Sequence, residues 1–297
     1  MPEILLEEQK LKLTNLSKIL WPDDGITKAD FIKYYTEVAS FILPHLKDRP
    51  MVFTRYPNGI YNKAFYQKNV PDYAPKWLHT VDITSDEGNV TKYIIINDAK
   101  SLIWAANQAC LELHPWLSRT SSLGNPDFII FDLDPMENTD FEDARKVALA
   151  LKQLFDSEGL LSFPKTSGST GLQVYIPIAA KYTYEQAREF AKLFCLVIER
   201  TFPDITTTER SVDKREGKLY LDYLQNIKGK TIVAPYSPRP KKGAPVSCPL
   251  TWSELEQGVT ADIFTIKSMP ARLRQKGDLF REVLTKKQNI DRWLNHV

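Results

Sequence analysis

Apolar residues recur at helical spacing after Thr27, with Phe31, Tyr35, Val38 and Ile42 on one face, and Thr27 with Asp30 resembles a capping box. The pattern predicts a helix that opens at Thr27 and stops at Pro44. The following stretch, MVFTRYPNGIYNKAFYQK, alternates apolar and polar positions on either side of Pro57-Asn58-Gly59 and reads as a β-hairpin. Tyr93 to Ile96 reads as a further strand. Asp98 then caps a helix with Leu102, Ala106, Ala109 and Leu113 on one face, ending at His114-Pro115. Beyond it strand and helix alternate. Phe128 to Asp134 is a strand, Thr139 with Glu142 caps a helix that stops at Gly159, and Leu172 to Ile178 is a strand. Thr183 with Gln186 opens a helix carrying Ala187, Phe190, Phe194 and Val197, and Leu219 to Leu224 is a strand. SPRPKKGAPVSCP is a proline-rich basic loop, and the tail from Ala271 reads as helical and basic. Hairpins joined to strand–helix alternation predict an α+β fold rather than a uniformly doubly wound sheet.

Composition narrows the function classes only a little. With 297 residues, 43% of them hydrophobic, and 39 Lys and Arg against 37 Asp and Glu, the chain is long enough for a substantial core and carries no gross charge bias. A nucleic-acid partner therefore requires a local basic surface. No apolar run approaches the roughly 20 residues needed to span a bilayer. The start, MPEILLEEQKLK, lacks the marks of a signal peptide, so a cytoplasmic protein with no membrane partner is expected. Cys110, Cys195 and Cys248 are far apart and outside any C-x-x-C spacing, which argues against a disulfide framework or zinc site and assigns Cys110 and Cys195 to packing within helices. His45, His79, His114 and His296 are equally scattered. A metal ion would thus have to be held by carboxylates.

Three carboxylates are placed for that. In FIIFDLDP an apolar strand ends in Asp132 and Asp134, which the period of two puts on one face. Like charges side by side repel, and a hard divalent cation such as Mg²⁺ or Mn²⁺ would relieve them. Turn chemistry before Pro135 explains the same pair without any ion. Asp222 lies within the apolar run KLYLDYL, where it either joins the first two across a sheet or forms a buried salt bridge with Lys or Arg. The intervening TSGSTGLQVYIPI has a Ser/Gly composition able to turn backbone N–H groups toward an anion, and its strand directs Gln173 and Tyr175 away from the face bearing Leu172, Val174 and Ile176. Lys18 and Lys28 read by composition as a solvated face. At least one of the consecutive residues Phe65 and Tyr66 leaves the core, and His114 before Pro115 reads as a helix cap.

These motifs, in order with NLSKILWPDDGITK, RYPNGI, FYQK, ELHPWLSR, PKTSG, APYSPR, GAPVS and PLTW, resemble the polymerase domain of bacterial DNA ligase D, a member of the archaeo-eukaryotic primase superfamily. The resemblance covers nearly the whole chain. It implies a primase-like core of mixed and antiparallel sheets flanked by helices, as a single primase-polymerase domain: 1–120 as a DNA-binding part, 121–250 as the catalytic core and 251–297 as a helical tail. The implied activity is template-directed nucleotidyl transfer that fills gaps and extends 3′ ends in non-homologous end joining. Two Mn²⁺ or Mg²⁺ ions and no organic cofactor are implied. Implied partners are DNA ends or gaps bearing a 5′-phosphate, ribo- or deoxyribonucleoside triphosphates, Ku and a ligase module, in a nucleoid-associated setting.

Carried over by the resemblance, Asp132, Asp134 and Asp222 match the metal-binding carboxylates. Arg55, His114, Ser167, Gln225 and Arg239 match nucleotide-site residues, as does position 173. Asn15, Lys18 and Lys28 match the 5′-phosphate pocket, Phe65 and Tyr66 the aromatic step under the template, and Arg215 a basic position near the primer end. The sequence departs from the family where Gln173 takes the place of a histidine and Thr170 that of a frequent lysine. Glutamine donates a neutral hydrogen bond but neither carries charge nor moves a proton. That departure leaves two further readings open, a non-catalytic module that binds 5′-phosphorylated ends and a carboxylate-metal phosphoesterase or nuclease.

Overall fold

A computed structural model describes residues 3–6 and 9–294; His296 lies outside them. The chain divides into two compact units, one formed by the segment up to Ser121 with Thr231–Ser247 and Asp262–Gly277, the other by Ser122–Lys230, Cys248–Ala261 and the segment from Asp278.

In the first unit β1 (Glu3–Leu6) and β2 (Gln9–Lys12) form an antiparallel hairpin, and β3 (Ile19–Trp21) pairs antiparallel with β4 (Ile26–Thr27). The Thr27–Asp30 capping box forms as the sequence predicts and opens α1 (Lys28–Leu46). The helix does not stop at Pro44. That proline lies in the last turn, where its missing N–H costs a single bond, and the helix closes over it with Lys47 N–H donating to Leu43 O at 2.9 Å. Next come β5 (Pro50–Arg55), β6 (Phe65–Gln67), β7 (Thr80–Thr84), β8 (Val90–Ile95), α2 (Ala99–Asn107) and β9 (Cys110–Pro115). The predicted hairpin is β5–β6, with residues 56–64 as a longer connection than a tight turn. β5 is central, with β9 along one edge and β6 and β8 on the other.

The helix predicted to reach His114 ends instead at Asn107. Ala109 takes a left-handed φ of +56°, and the chain turns back as a buried strand that carries Cys110 and His114. The spacing of Leu102, Ala106, Ala109 and Leu113 continues a helical period by coincidence, so the sequence signal points past a turn that lacks the usual glycine.

The second unit is built on β10 (Phe128–Asp134), α3 (Phe141–Ser157), β11 (Phe163–Thr166), β12 (Leu172–Pro177), α4 (Tyr184–Thr201), β13 (Thr206–Thr207) and β14 (Leu219–Asp222). The strand order is β11-β12-β10-β14-β13, antiparallel except for β13–β14. Mixed sheets with flanking helices make this an α+β chain, as expected. The cap of α3 is Asp140 with Asp143, one residue beyond the predicted Thr139, whose hydroxyl accepts from Met136 N–H at 2.9 Å. The predicted strand to Leu224 is shorter, because Tyr223–Asn226 turn into a 3₁₀ helix after Asp222. Asn226 replaces the missing strand: its side-chain carbonyl accepts from Ile130 N–H at 2.9 Å and its amide donates to Ile130 O at 2.7 Å.

Phe131 on β10 meets Phe155 of α3 and Phe194 of α4, ring centroids 5.0 and 6.3 Å away, so both helices cover that face of the sheet. The opposite face carries Phe128, Tyr175 and Phe163, and Phe280 from the tail covers these last two. The tail is helical in three short pieces, Met269–Lys276, Arg281–Thr285 and Asp291–Leu294. No helix among the described residues is long and apolar enough to cross a membrane.

Gly171 makes β12 possible beside β10, because a Cβ there would strike the Leu133 carbonyl oxygen. Gly171→Ala is expected to cost about 1–3 kcal/mol, a fall of roughly 2–4 °C in melting temperature per kcal/mol at this size. Gly124→Ala, where no atom lies within 4 Å, is the control and should melt as the parent does. Equal melting of the two variants would refute the close approach.

Candidate active site

Register brings the acidic residues together. Asp132 on β10 is the direct antiparallel partner of Asp222 on β14 and, on its other side, of Gln173 on β12; Asp134 pairs with Tyr220. Cross-strand partners share a face, and two residues along a strand return to it, so Asp132, Asp134 and Asp222 stand on the face opposite α3 and α4. Sequence left Asp222 open between this cluster and a buried salt bridge; it joins the cluster. Gln173 Nε2 donates to Asp132 Oδ1 at 2.9 Å, and Tyr220 Oη donates to Asp222 Oδ1 at 3.1 Å.

Asp132 is buried, and burial followed by the Asp134 charge pushes its carboxyl well above the usual carboxylate range. The Gln173 hydrogen bond opposes that shift, Asp222 adds to it and the Lys165 charge opposes it. Tyr220 is likewise pushed up, by burial and by the negative charge of Asp222. Hard oxygen donors in a strained, negatively charged group fit a divalent cation of the Mg²⁺ or Mn²⁺ type. Among the described residues no three His, Cys, Asp or Glu side chains close on one point as a finished cage, so the carboxylates share a face without forming one.

Ser167, from the Ser/Gly loop, is buried and its Oγ accepts from the N–H groups of Ser169 and Gly171, both at 3.1 Å. Two amides that the composition offered to an anion are therefore turned inward on Ser167. Gln225 is buried in the 3₁₀ helix after β14. Arg215 stacks on Tyr220, its guanidinium carbon 3.6 Å from the ring centroid, and donates to the carbonyls of Glu209 and Arg210 at 3.0 Å each. All of these belong to the second unit.

The first unit holds the remaining candidates in three groups. Lys28 is buried at the start of α1 and donates to Thr14 O at 2.7 Å and Thr14 Oγ1 at 3.1 Å. Lys18 donates to Pro57 O at 2.7 Å and Asn58 Oδ1 at 2.8 Å, and Asn15, exposed with φ of +50°, opens the turn that carries it. Burial, then the charges of Lys18 and Arg55, lower the Lys28 pKa to about 8. Lys28 is thus no solvated face. In the second group, Phe65 and Tyr66 on the edge strand β6 are both exposed, 46% and 62%. Arg55, opposite Phe65, donates to Gln108 O, Gln67 Oε1 and Tyr73 Oη at 3.1, 2.9 and 2.7 Å.

The third group surrounds Glu112, which sequence reasoning missed. Its buried carboxylate meets Arg239 Nε at 2.7 Å and His114 Nε2 at 3.6 Å. Burial works against ionisation of Glu112, but the His114 hydrogen bond and the Arg239 charge outweigh it and hold the carboxyl below its ordinary value. His114 is consequently a strand residue in an ion-pair cluster and not a helix cap. The sequence signal for Glu112 is a lone charge in the apolar stretch CLELHP; its partner Arg239 lies too far along the chain for any spacing rule.

A family model described as "LigD, primase-polymerase domain" matches residues 27–280. The chain belongs to the LigD primase-polymerase family. It is 41% identical over 270 residues to the bifunctional non-homologous end joining protein LigD of Bacillus subtilis, covering 90% of this chain and 43% of that protein. It is 36% identical over 249 residues to the multifunctional LigD of Mycolicibacterium smegmatis, covering 83% of this chain and 32% of that protein. This primase-polymerase chain thus spans less than half the length of either relative. Its fold matches the polymerase domain from Mycobacterium tuberculosis ligase D in complex with DNA, with a TM-score of 0.87 and 34% identity over 95% of this chain and 100% of that one.

In this LigD primase-polymerase chain the Lys28 ammonium titrates far below the unfolded value of 10.5, so it disfavours folding at neutral pH and the penalty relaxes as pH climbs from about 8 to 10.5. Lys18→Met removes one neighbouring charge and should move the Lys28 midpoint upward in an NMR titration of its side chain. An unmoved midpoint would mean that Lys18 takes no part and that burial and Arg55 account for the shift.

Proposed function

We propose that this chain is a template-directed nucleotidyl transferase that extends 3′ ends and fills gaps at double-strand breaks in bacterial non-homologous end joining. The observation that carries the reading is the cross-strand pairing of buried Asp132 with part-exposed Asp222, with Asp134 on the same face. Family membership and the likeness to a polymerase domain in complex with DNA support it. When bound by Asp132, Asp134 and Asp222, two Mn²⁺ or Mg²⁺ ions would acidify a primer 3′-hydroxyl and neutralise charge building on the triphosphate.

The protein's own side chains bind and orient. Gln173 fixes Asp132, and Ser167 and Gln225 are proposed as nucleotide-binding residues within the second unit. Within the first unit Arg239, His114 and Arg55 are proposed as nucleotide-binding residues, with Glu112 holding the first two of these; a permanently charged guanidinium suits phosphate. Asn15, Lys18 and Lys28 are assigned to a downstream 5′-phosphate, whose charge would relieve the repulsion between the two lysines. Phe65 and Tyr66, exposed on an edge strand, are suited to stacking on template bases. Arg215 is assigned to the primer side. Residues 1–120 are proposed as the DNA-binding part, 121–250 as the catalytic core and 251–297 as the tail, a functional division that the two compact units cross, since Thr231–Ser247 and Asp262–Gly277 belong to the first. Ku and a ligase module are the proposed partners, in a nucleoid-associated cytoplasmic setting. A second reading, a non-catalytic 5′-phosphate end-binding module, draws on Gln173 in place of the family histidine.

A gapped, 5′-phosphorylated duplex with Mn²⁺ and nucleotides separates the readings: longer primer for a polymerase, unchanged primer for an end-binding module, shorter primer for a nuclease. Asp132→Ala should abolish extension and leave DNA binding within a few-fold; joint loss of both would assign Asp132 a structural role instead. Preference for phosphorylated over unphosphorylated ends should fade as pH rises past about 8, where Lys28 loses its proton, and Lys28→Met should remove that pH dependence. Retention of the full preference at pH 9.5 would dismiss Lys28 as the phosphate ligand.

A further inference from the structure

One transverse row crosses four strands of the second unit. Lys165 on β11 pairs with Gln173 on β12, Gln173 with Asp132 on β10, and Asp132 with Asp222 on β14. The hydrogen bonds follow the same line. Lys165 Nζ donates to Gln173 Oε1, and Gln173 Nε2 donates to Asp132 Oδ1 at 2.9 Å. Both Lys165 and Gln173 are buried, the lysine completely.

We propose that Lys165 is a positioning residue for the carboxylate centre and acts through Gln173. This deepens the reading of Asp132 as a metal ligand and rests on it. The two ends of a primary amide are nearly equal in shape and opposite in hydrogen-bonding sense, so sterics alone do not choose which end meets Asp132. An ionised carboxylate only accepts, and the amide oxygen turned toward it would set acceptor against acceptor. An ammonium only donates. Placed on the far side of the amide, it binds the oxygen and leaves the NH₂ group to Asp132, so the sequence donor, amide, carboxylate has one satisfied direction.

The lysine is itself held. The outer edge of β11 is closed by the segment after residue 247, where Thr166 N–H donates to Cys248 O, Leu250 N–H donates to Pro164 O, both at 2.9 Å, and Lys165 bridges to Pro249. The Tyr175 ring lies 5.7 Å from the ammonium. A strand pinned on both edges gives the long side chain one place to stand.

A plain electrostatic role predicts the opposite sign from a positioning role. Removing a cation beside an acidic site strengthens cation binding if charge is all that matters, and weakens it if the cation orients a ligand. The full chain is therefore titrated with Mn²⁺, free of DNA and nucleotide, as parent, Lys165→Met, Gln173→Met and the double variant. Each single change should weaken Mn²⁺ binding about tenfold, and the double no further than the worse single. Lys165→Arg, which keeps a donor, should restore most of the loss.

A second readout needs no metal. The Gln173 side-chain NH₂ signal in ¹⁵N NMR should be protected from exchange in the parent and in Lys165→Arg, and lose at least tenfold of that protection in Lys165→Met. Tighter or unchanged Mn²⁺ binding in a folded Lys165→Met, additive losses near a hundredfold in the double, or undiminished protection would each overturn the inference. If the parent binds no Mn²⁺, the metal-ligand reading fails, while the exchange measurement still decides whether Lys165 orients the amide. Should Lys165→Met not fold, Gln173→Met and Lys165→Arg still test it, since a Gln173→Met that keeps parental Mn²⁺ affinity, or a Lys165→Arg that loses the protection, would also overturn it.

Discussion

The chemistry of the second unit depends on one constraint, the register of β10 between β12 and β14. Side chains alternate along a strand, so a slip of one residue on either side would turn Gln173 or Asp222 toward the helices and leave Asp132 without its neighbours. The apolar residues of β10 prevent the slip. Phe131 is locked between Phe155 and Phe194, and Leu133 is fully buried on the same side. Each such side chain contributes roughly 1.5–3 kcal/mol by burial, and a slipped register would forfeit several at once. Hydrophobic packing on one face thus fixes the positions of charges on the other.

Both units hold like charges close together. In one, Asp132 sits beside Asp134 and Asp222 and is pushed above its usual range; in the other, Lys28 sits beside Lys18 and Arg55 and is pushed down to about 8. Neither arrangement is favourable for the isolated protein, since burial penalises the charged form and the neighbours add to the penalty. A ligand of opposite sign converts each penalty into binding energy. By charge the acidic group is suited to cations and the basic one to phosphate, the two kinds of ligand that the proposed nucleotidyl transfer requires. The Glu112 cluster differs in kind, because its carboxylate has its counter-charge in Arg239 and its cost is already offset.

Those elements that depend on local signals were legible in the sequence. The capping pairs of α1 and α4, the strand FIIFDLD and the shared face of Asp132 and Asp134 follow from spacing alone, and the structure agrees. β9 was not legible, because Ala109 adopts a glycine-like conformation without being glycine and the apolar spacing runs on through it. β11 is short, and Pro164 interrupts its pattern. Asn226 was missed because it works as a substitute strand, a role that no alternation encodes. Lys165, Gln173, Asp132 and Asp222 form a row only once three strand pairings are known, and pairing is the non-local part of the fold. Physical reasoning on the residues alone singled out Asp222 but left it evenly divided between the cluster and a salt bridge; the resemblance to a family favoured the cluster and supplied Gln225.

An amide at position 173 changes what can regulate this centre. A histidine in contact with a carboxylate changes charge near neutral pH, so its help to that carboxylate varies with proton concentration. Glutamine has no such variable. Its donor end and acceptor end are fixed by covalent structure, and the only freedom is which way round it stands. A carboxylate that relies on it is therefore controlled by orientation. The groups that set the orientation must be buried and rigid, because exposure to water would satisfy either end of the amide equally well. Lys165 and Gln173 meet that condition, lying beneath a strand edge closed by residues 248–250. The Lys165 charge still acts on Asp132 through space, while the ammonium donates its hydrogen bond to the neutral amide. A direct Lys–Asp132 ion pair in the same place would neutralise the ligand it was meant to present.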